Sequence, residues 1–445
     1  MTPGSTCRSW RVNAGDGGDV LGRSFVPSSV MRLLILAPQL PWPPNQGTAL
    51  RNLNLVRVLA ARHAVHLVCF GDPFADRGPL PDWGVAVTLV PAPPPRSFLR
   101  RLLELPTQPT PDLLRRLASP AMDRCLADLA ADPAGQVDVL QVEGIEMAPF
   151  GLALRALLAR RGRAPRLVYD AHNAEWILQD RAWRADLRRG PAGLPGVLYS
   201  LLQTAKLRRY ERRLLRAADA VVAVSAADAE VLRALAPGVE PVVVPNGVDT
   251  AVYQPGDAAS EDPDLVVFTG KMDFRPNIDG MAWFCERVWP LAHALRPGLR
   301  LAIVGRDPVP RVRTLASAAL GIEVTGAVPD VRPFIARAGI IVVPLRVGGG
   351  TRLKVLEAMA AGKAIVATRL GAEGLELVDG REALLADEPE AMARAIAALA
   401  ADGARRAELG RAARARAVRD YRWEGLVEGM EGVYGGGRPG ERSGA

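Results

Sequence analysis

The sequence predicts an α/β protein of two doubly wound domains, each a parallel sheet with helices on both faces. Three observations carry that reading. The chain has 445 residues, enough for two to three domains of about 150 residues each. Apolar runs of strand length alternate with helical stretches nearly from end to end, the pattern of repeated β-α-β units. The alternation is interrupted once, over 249–264, where a polar segment with Pro255, Gly256 and Pro263 reads as a linker.

The elements follow in order. Residues 1–30 are rich in Gly and Ser without periodicity, so a disordered N-terminal extension is expected there, and Met31 becomes a candidate start of translation. The continuous apolar run at 32–37 is the first strand. A helix at 49–61 leads to strand-like runs at 65–70, 85–90, 139–142, 166–170, 220–224 and 242–244, with another helix at 201–217. The first domain is therefore placed at 31–248. Beyond the linker, runs at 265–269, 301–304, 340–343, 364–367 and 384–385 define a second domain at 265–420, followed by a last helix at 421–434.

Composition narrows the function classes. Hydrophobic residues make up 49% and charged residues 23% of the chain, as in ordinary globular proteins. The four cysteines, Cys7, Cys69, Cys125 and Cys285, lie far apart without disulfide or zinc spacing, so free thiols and no metal site are expected. The longest uncharged stretch, 33–50, contains Pro38, Pro41, Pro43 and Pro44 and cannot be a spanning helix. Residues 1–30 lack the apolar core of a secretory signal, and the expected location is the cytoplasm. The net charge is +8, but no aromatic residues interleave the basic run, so nucleic acid is not expected as a partner. Only 4 of the 56 basic residues are Lys, which makes Lys206, Lys271, Lys354 and Lys363 worth locating.

In doubly wound sheets ligands bind beyond the carboxyl ends of the strands, where strand order reverses, so the loops after strands are the places to search. No Gly-x-Gly-x-x-Gly follows a strand. Gly362-Lys363 precedes Ala364, where a P-loop needs Ser or Thr, so dehydrogenase and P-loop chemistry are set aside. After the first strand, Gly47 and Thr48 open a helix whose free N–H groups favour an anion; a Pro-rich turn capped by Thr48 reads equally well. His172 is the only His at a strand's carboxyl end and could orient or proton-couple a substrate hydroxyl, or serve as a turn residue beside Asp170. Asn246-Gly247 supplies a left-handed turn, alone a weak signal. In the second half, one strand ends in Gly270-Lys271 with Arg275 beyond. Another ends in a loop carrying Gly348, Gly349, Gly350, Thr351, Arg352 and Lys354 into a helix with Glu357. A glycine-rich loop feeding a helix N-terminus among cations suits a diphosphate, though Lys354 could equally pair with Glu357 on a solvated helix face.

Together these residues resemble the retaining family-4-type glycosyltransferases of the GT-B fold, two Rossmann-like domains facing across a cleft. The resemblance runs from Met31 to about Tyr434. It is most specific over 352–366, where Leu-Glu-Ala-Met-Ala-Ala-Gly-Lys leads into Ala364-Ile365-Val366. Pro-Asn-Gly-Val-Asp at 245–249, Gly270-Lys271 and Trp423 support it, and the Gly-Gly-Gly-Thr-Arg-Leu-Lys loop resembles a bacterial branch. The resemblance implies metal-independent transfer of a sugar from a nucleotide sugar to an acceptor hydroxyl, with no cofactor besides the donor. Glu357 would bind the donor ribose, Lys271 would face the diphosphate in place of the family's usual Arg, the Gly47 loop would approach the donor phosphates, and His172 would sit near the transferred sugar. Catalytic roles thus fall to His172, Lys271 and Glu357. Donor contacts fall to Gly47, Thr48, Asn246, Gly270, Arg275, Gly349, Gly350, Thr351, Arg352, Lys354 and Glu357.

Two departures stand out. The acid the family places eight residues before Glu357 is here Gly349, and the family's second cation beyond Lys271 falls at Pro276 or Asn277, with Arg275 as a substitute. A nucleotide-sugar epimerase of the same fold and an inactive nucleotide-sugar-binding module are the alternatives. Ten basic residues against two acidic ones between Arg181 and Arg216, around an uncharged stretch with Leu194, Leu198, Leu201 and Leu202, suit an anionic membrane surface or a solvated helix. The first of these suggests a peripheral membrane enzyme acting on a lipid-linked sugar acceptor in polysaccharide or glycolipid synthesis.

Overall fold

In the inner strands, runs of Leu, Ile and Val flanked by Gly, Pro and polar residues are buried on both faces, the condition that makes a parallel strand apolar throughout. The computed structural model describes residues 30–44, 46–133, 135–187, 194–348 and 352–436. Chain contacts divide them into two compact units, one running up to Val244 and resuming at Val427, the other Pro245–Leu426. The extension expected at 1–30 lies, but for Val30, outside the described residues.

Unit 1 is a seven-stranded sheet of β1 (Arg32–Ala37), β2 (Ala64–Phe70), β3 (Ala86–Val90), β4 (Val139–Glu143), β5 (Arg166–Ala171), β6 (Ala220–Ala223) and β7 (Val242–Val243). Its order is β3-β2-β1-β4-β5-β6-β7 and every pairing is parallel. Order therefore reverses between β1 and β4, where Leu33 faces Val139. Phe70 and Phe150 meet edge-on at 5.9 Å in the core. The helix Trp423–Gly435 ends on this sheet: Val433 O accepts from Arg166 Nε at 2.8 Å, and Glu431 meets His63 at 3.1 Å.

Unit 2 repeats the plan with six strands, β8 (Asp262–Thr269), β9 (Arg300–Val304), β10 (Ile322–Gly326), β11 (Ala338–Val343), β12 (Ala364–Ala367) and β13 (Leu384–Leu385). The order β10-β9-β8-β11-β12-β13 reverses between β8 and β11. Two parallel doubly wound sheets were expected and are found.

Several details differ from the sequence reading. β10 was not anticipated; Ile322–Gly326 is an edge strand whose later residues are only half-buried or exposed, so it lacks an apolar run. The segment 249–264 is not a free connector. β8 already begins at Asp262, Arg414 Nη1 donates to Tyr253 O at 3.1 Å, and the Tyr253 hydroxyl reaches Glu357. Gly247 does not adopt a positive φ; it is needed because a Cβ there would come within 2.7 Å of the Trp423 ring. The leucine-rich stretch before Lys206 joins one 24-residue helix, Leu194–Ala217, with Pro195 tolerated in its first turn.

Candidate functional site

In unit 1 the polar residues converge beside the order reversal. The helix Gly47–Ala60 starts directly after the β1 loop, with Gln46 rather than Thr48 at its N-cap position. One turn in, Arg51 is buried and points to the end of β5. Its Nε and Nη2 meet Asp170 at 2.9 to 3.1 Å in a bidentate pair. The end of β4 supplies Glu143, whose Oε2 lies 2.7 Å from His172 Nε2. Glu143 Oε1 accepts from the Gln141 amide, and Gln141 Oε1 accepts from the Tyr434 hydroxyl. With its amide nitrogen toward the carboxylate, Asn52 donates to Glu143 Oε2 at 2.9 Å and to Thr48 O at 3.2 Å. Gly144, at φ 76°, starts the turn out of β4, where a Cβ would meet Glu146 Oε2 at 3.0 Å.

The electrostatics follow from this enclosure. Burial pulls the His172 imidazole down, but the hydrogen bond and charge of Glu143, with Asp170 behind, outweigh it and hold the pKa above its ordinary value. Burial pushes Glu175 up to about 7 and Glu211 up to about 8. Glu211 closes the start of the helix Glu175–Leu187, accepting the N–H groups of Glu175 and Trp176 at 3.3 Å, the geometry in which a carboxylate answers a helix N-terminus. Among the described residues Glu143, Asp170 and His172 are the one group of three whose ligand atoms, within 4.8 Å of one another, could hold a metal ion. The Arg51 guanidinium already provides a cation to Asp170.

In unit 2 the loops after β8 and β11 pack on one another. Gly280 lets the helix Arg275–Trp283 approach Pro344 O, which a Cβ would meet at 2.8 Å, and a Cβ on Gly348 would meet Pro276 at 3.1 Å. The helix Leu353–Ala360 then brings Lys354 back under the end of β8. Lys354 Nζ donates to Asn277 Oδ1 at 2.9 Å and lies 3.9 Å from the Phe268 ring centroid. A side chain on Gly270 would clash with it, since a Cβ there would lie 2.8 Å from Nζ. Asn277 Nδ2 donates to Lys271 O at 2.8 Å and ties that loop to the same point. Burial pulls Lys354 down to about 7 and pushes Glu357 up to about 7, the Tyr253 hydroxyl at 3.1 Å partly offsetting the latter. Lys354 forms no ion pair with Glu357 and is half-buried, so the solvated-pair alternative gives way to a desolvated cation aimed at the strand end.

The expected site residues separate. Gly270, Lys354 and Asn277 come together, with Glu357 one turn farther along. Lys271 is exposed and pairs with Asp273 at 2.9 Å. Arg275 is exposed at the start of its helix. Arg352 is buried and turned toward Leu370 O at 3.3 Å and Glu373 at 3.6 Å. Gly47 is exposed, and Thr48 and Asn246 are half-buried. Gly349, Gly350 and Thr351 lie outside the described residues. Of the other lysines, Lys363 pairs with Glu261 at 3.0 Å and Lys206 donates to Gln108 O at 2.7 Å, both structural tasks. Sequence reasoning missed Glu143 altogether and saw Asp170 only as a neighbour of His172. The available signal was a carboxylate ending a strand next to Gly144.

Comparison with known proteins gives a consistent result. The sequence profile described as Glycosyltransferase Family 4 matches residues 46–252, and that described as Glycosyl transferases group 1 matches residues 263–402. The chain is 34% identical over 214 residues to the D-inositol 3-phosphate glycosyltransferase of Acidothermus cellulolyticus, covering 43% of this chain and 47% of that protein. It is 28% identical over 258 residues to the alpha-maltose-1-phosphate synthase of Mycolicibacterium smegmatis, covering 50% of this chain and 65% of that protein. The matches thus span about half to two thirds of these relatives. Among solved structures, sucrose-phosphate synthase from Thermosynechococcus elongatus superposes with a TM-score of 0.67 at 18% identity, over 91% of this chain and 98% of that one. Anabaena HepE in complex with UDP and glucose superposes with a TM-score of 0.62 at 15% identity, over 90% and 98%. At these identities the likeness is one of fold, GT-B.

Proposed function

The chain belongs to the family-4 type of group 1 glycosyltransferases, and on that premise we propose that it moves a sugar from a nucleotide sugar to an acceptor hydroxyl, with retention of configuration and without a metal. The observation that carries this reading is Lys354. A desolvated ammonium beneath Gly270, at the order reversal of unit 2, on which Glu357 acts only from beyond ion-pair distance, is set for an anionic ligand. A diphosphate supplies the missing charge. As the glycosidic bond breaks, negative charge grows on that diphosphate, and cations already in place stabilise it without reorganisation. Lys271, exposed on the same loop, adds a second cation. Glu357 accepts hydrogen bonds from the ribose hydroxyls; for His172 the proposed partner is a sugar hydroxyl.

The acceptor we propose is a lipid-linked sugar at an anionic membrane surface. Support comes from the outer face of the helix Leu194–Ala217. Leu198, Leu201 and Leu202 are 62%, 42% and 38% exposed near its start, and Arg208, Arg209, Arg212, Arg213 and Arg216 continue the exposed stripe to its end. No described helix is long and apolar enough to cross a membrane. Arg188, Arg189 and the side chains of Arg181 and Arg184 lie outside the described residues. Co-sedimentation with anionic vesicles, lost at high salt and absent with neutral vesicles, is the expected result, each surface cation being worth about 1 kcal/mol.

The deciding experiment for the transfer reading is a thermal-shift screen against UDP-, GDP- and ADP-sugars, beginning with UDP-glucose, the ligand of Anabaena HepE in one of its crystal structures. A ligand at 100 times its Kd adds about 2.7 kcal/mol to stability. One base should raise Tm. No shift with any nucleotide sugar overturns the proposal.

A further inference from the structure

The His172 ring is held at one edge only. Nε2 lies 2.7 Å from Glu143 Oε2. Nδ1 makes no hydrogen bond with the described residues and stands over Gly144, where an added Cβ would come within 3.7 Å. Glu143 is closed off from any ligand, its side chain 1% exposed against 13% for His172. Its two oxygens are fixed by Gln141 and Asn52, and Gln141 is fixed in turn by Tyr434 from the last helix. A carboxylate this tightly bound cannot rotate without leaving buried donors unsatisfied, so the ring it holds has one orientation.

We infer that Glu143 is a positioning residue, which keeps the His172 Nε2–H directed into the protein and leaves Nδ1 as the atom that meets a sugar hydroxyl. This deepens the proposed sugar transfer and rests on it. An ionised carboxylate only accepts, so the neutral ring bonded to it carries its proton on Nε2. In that state Nδ1 accepts from a hydroxyl; once the ring is protonated, Nδ1 donates instead. Where the change falls depends on the charges around the ring: Glu143 from β4, Asp170 from β5, Arg51 from the helix Gly47–Ala60, Glu175 from the helix that follows, and Glu146, which pairs with Arg116 and whose Oε2 would lie 3.0 Å from the same Cβ on Gly144. Burial and Arg51 favour the neutral ring; Glu143 and Asp170 favour the charged one and prevail.

The test is long-range proton–nitrogen correlation of the imidazoles in the full chain, with His172→Gln identifying the signal among the four histidines. In the wild type, His172 should show the Nε2–H tautomer above its midpoint, and that midpoint should exceed 6.5. In Glu143→Gln the midpoint should fall by about 1 to 3 pH units, the usual effect of removing an adjacent opposite charge. An Nδ1–H tautomer in the wild type overturns the inference without any variant. So does an unchanged midpoint in a folded Glu143→Gln. A chain that binds no nucleotide sugar but gives the expected spectra sinks the transfer reading alone; one that binds UDP-glucose with the wrong tautomer sinks only the role of Glu143.

Discussion

The two sheets reverse their order in the same way and carry opposite charge arrangements at that point. In unit 1 the two carboxylates that end β4 and β5 are answered inside the chain, Asp170 by the bidentate Arg51 and Glu143 by His172, Gln141 and Asn52, while the pKa values of Glu175 and Glu211 farther along are held up by burial. In unit 2 Lys354 and Glu357 lie on successive turns of one helix, and neither meets an opposite charge at ion-pair distance among the described residues. A buried charge with its partner holds a shape, whereas a buried charge without one costs stability that a ligand can return. The comparison teaches that fold alone does not locate a binding site. On the function proposed above, the desolvated ammonium of Lys354 marks it, in unit 2.

The largest test removes one partner from the compensated side. Asp170→Ala leaves the Arg51 guanidinium buried without its counter-charge, and the loss of unfolding free energy should be about 3 to 5 kcal/mol. Lys354→Met, which replaces a desolvated ammonium with an apolar chain of similar length, should leave the ligand-free protein as stable or more so. Urea unfolding of the two variants measures both. Equal losses would mean that Lys354 is as fully paired as Arg51, and the contrast between the units would collapse.

Ligand affinity is expected to change in the reverse order. Lys354→Met and Glu357→Gln should each weaken binding of the nucleotide sugar by about 1 to 3 kcal/mol, the range for a hydrogen bond to a charged group or a buried hydroxyl. Isothermal titration would register this as a rise of roughly fivefold to 150-fold in Kd. The pH dependence sharpens the point. Lys354 is lowered from 10.5 to about 7, so between these values the unfolded chain holds a proton that the folded chain has released, and stability rises with pH above about 7. Glu357 is raised from 4.5 to about 7, so the folded chain holds the extra proton there, and stability falls as pH climbs from 4.5 to 7. Their joint contribution is least near pH 7. Lys354→Met should gain stability relative to the wild type at pH 7 and lose that advantage by pH 10; a constant difference would contradict the desolvated state of the ammonium.

How much of this was legible in the sequence varies with the range of the interaction. The inner strands of both sheets could be read because parallel strands buried on two faces must be apolar throughout, and the edge strands β3, β7 and β13 because they keep short apolar runs, whereas β10 escaped because Glu323 and Thr325 interrupt its run. The loops after β8 and β11 were recognisable from their glycines and lysines. Their convergence was not, since Lys354 and Asn277 are 77 residues apart and nothing local records that they touch. Glu143 was hidden for a related reason: Gln141-Val142-Glu143 reads as the end of a strand, and its partners Asn52, His172 and, through Gln141, Tyr434 come from three other elements. The supposed linker misled because polar, Pro-rich composition is shared by free connectors and by segments laid across a surface, and Tyr253 belongs to the second kind.

Lys271 gives the smallest stability effect and the finest distinction. Its pair with Asp273 is 44% and 39% exposed, and such surface pairs contribute about 0 to 1 kcal/mol, so Lys271→Ala should unfold at nearly the wild-type urea concentration. If this ammonium leaves Asp273 to meet the charge that grows on the diphosphate, its contribution is larger in the transition state than in the resting complex. Then kcat should fall while KM changes little. Lys271→Arg should recover part of the lost rate, because the charge returns although a planar guanidinium offers it in another geometry. A raised KM with unchanged kcat would make Lys271 a ground-state contact. Unchanged kinetics in Lys271→Ala would leave Lys354 to carry the diphosphate charge, and the uncompensated region of unit 2 would shrink to the ammonium beneath Gly270.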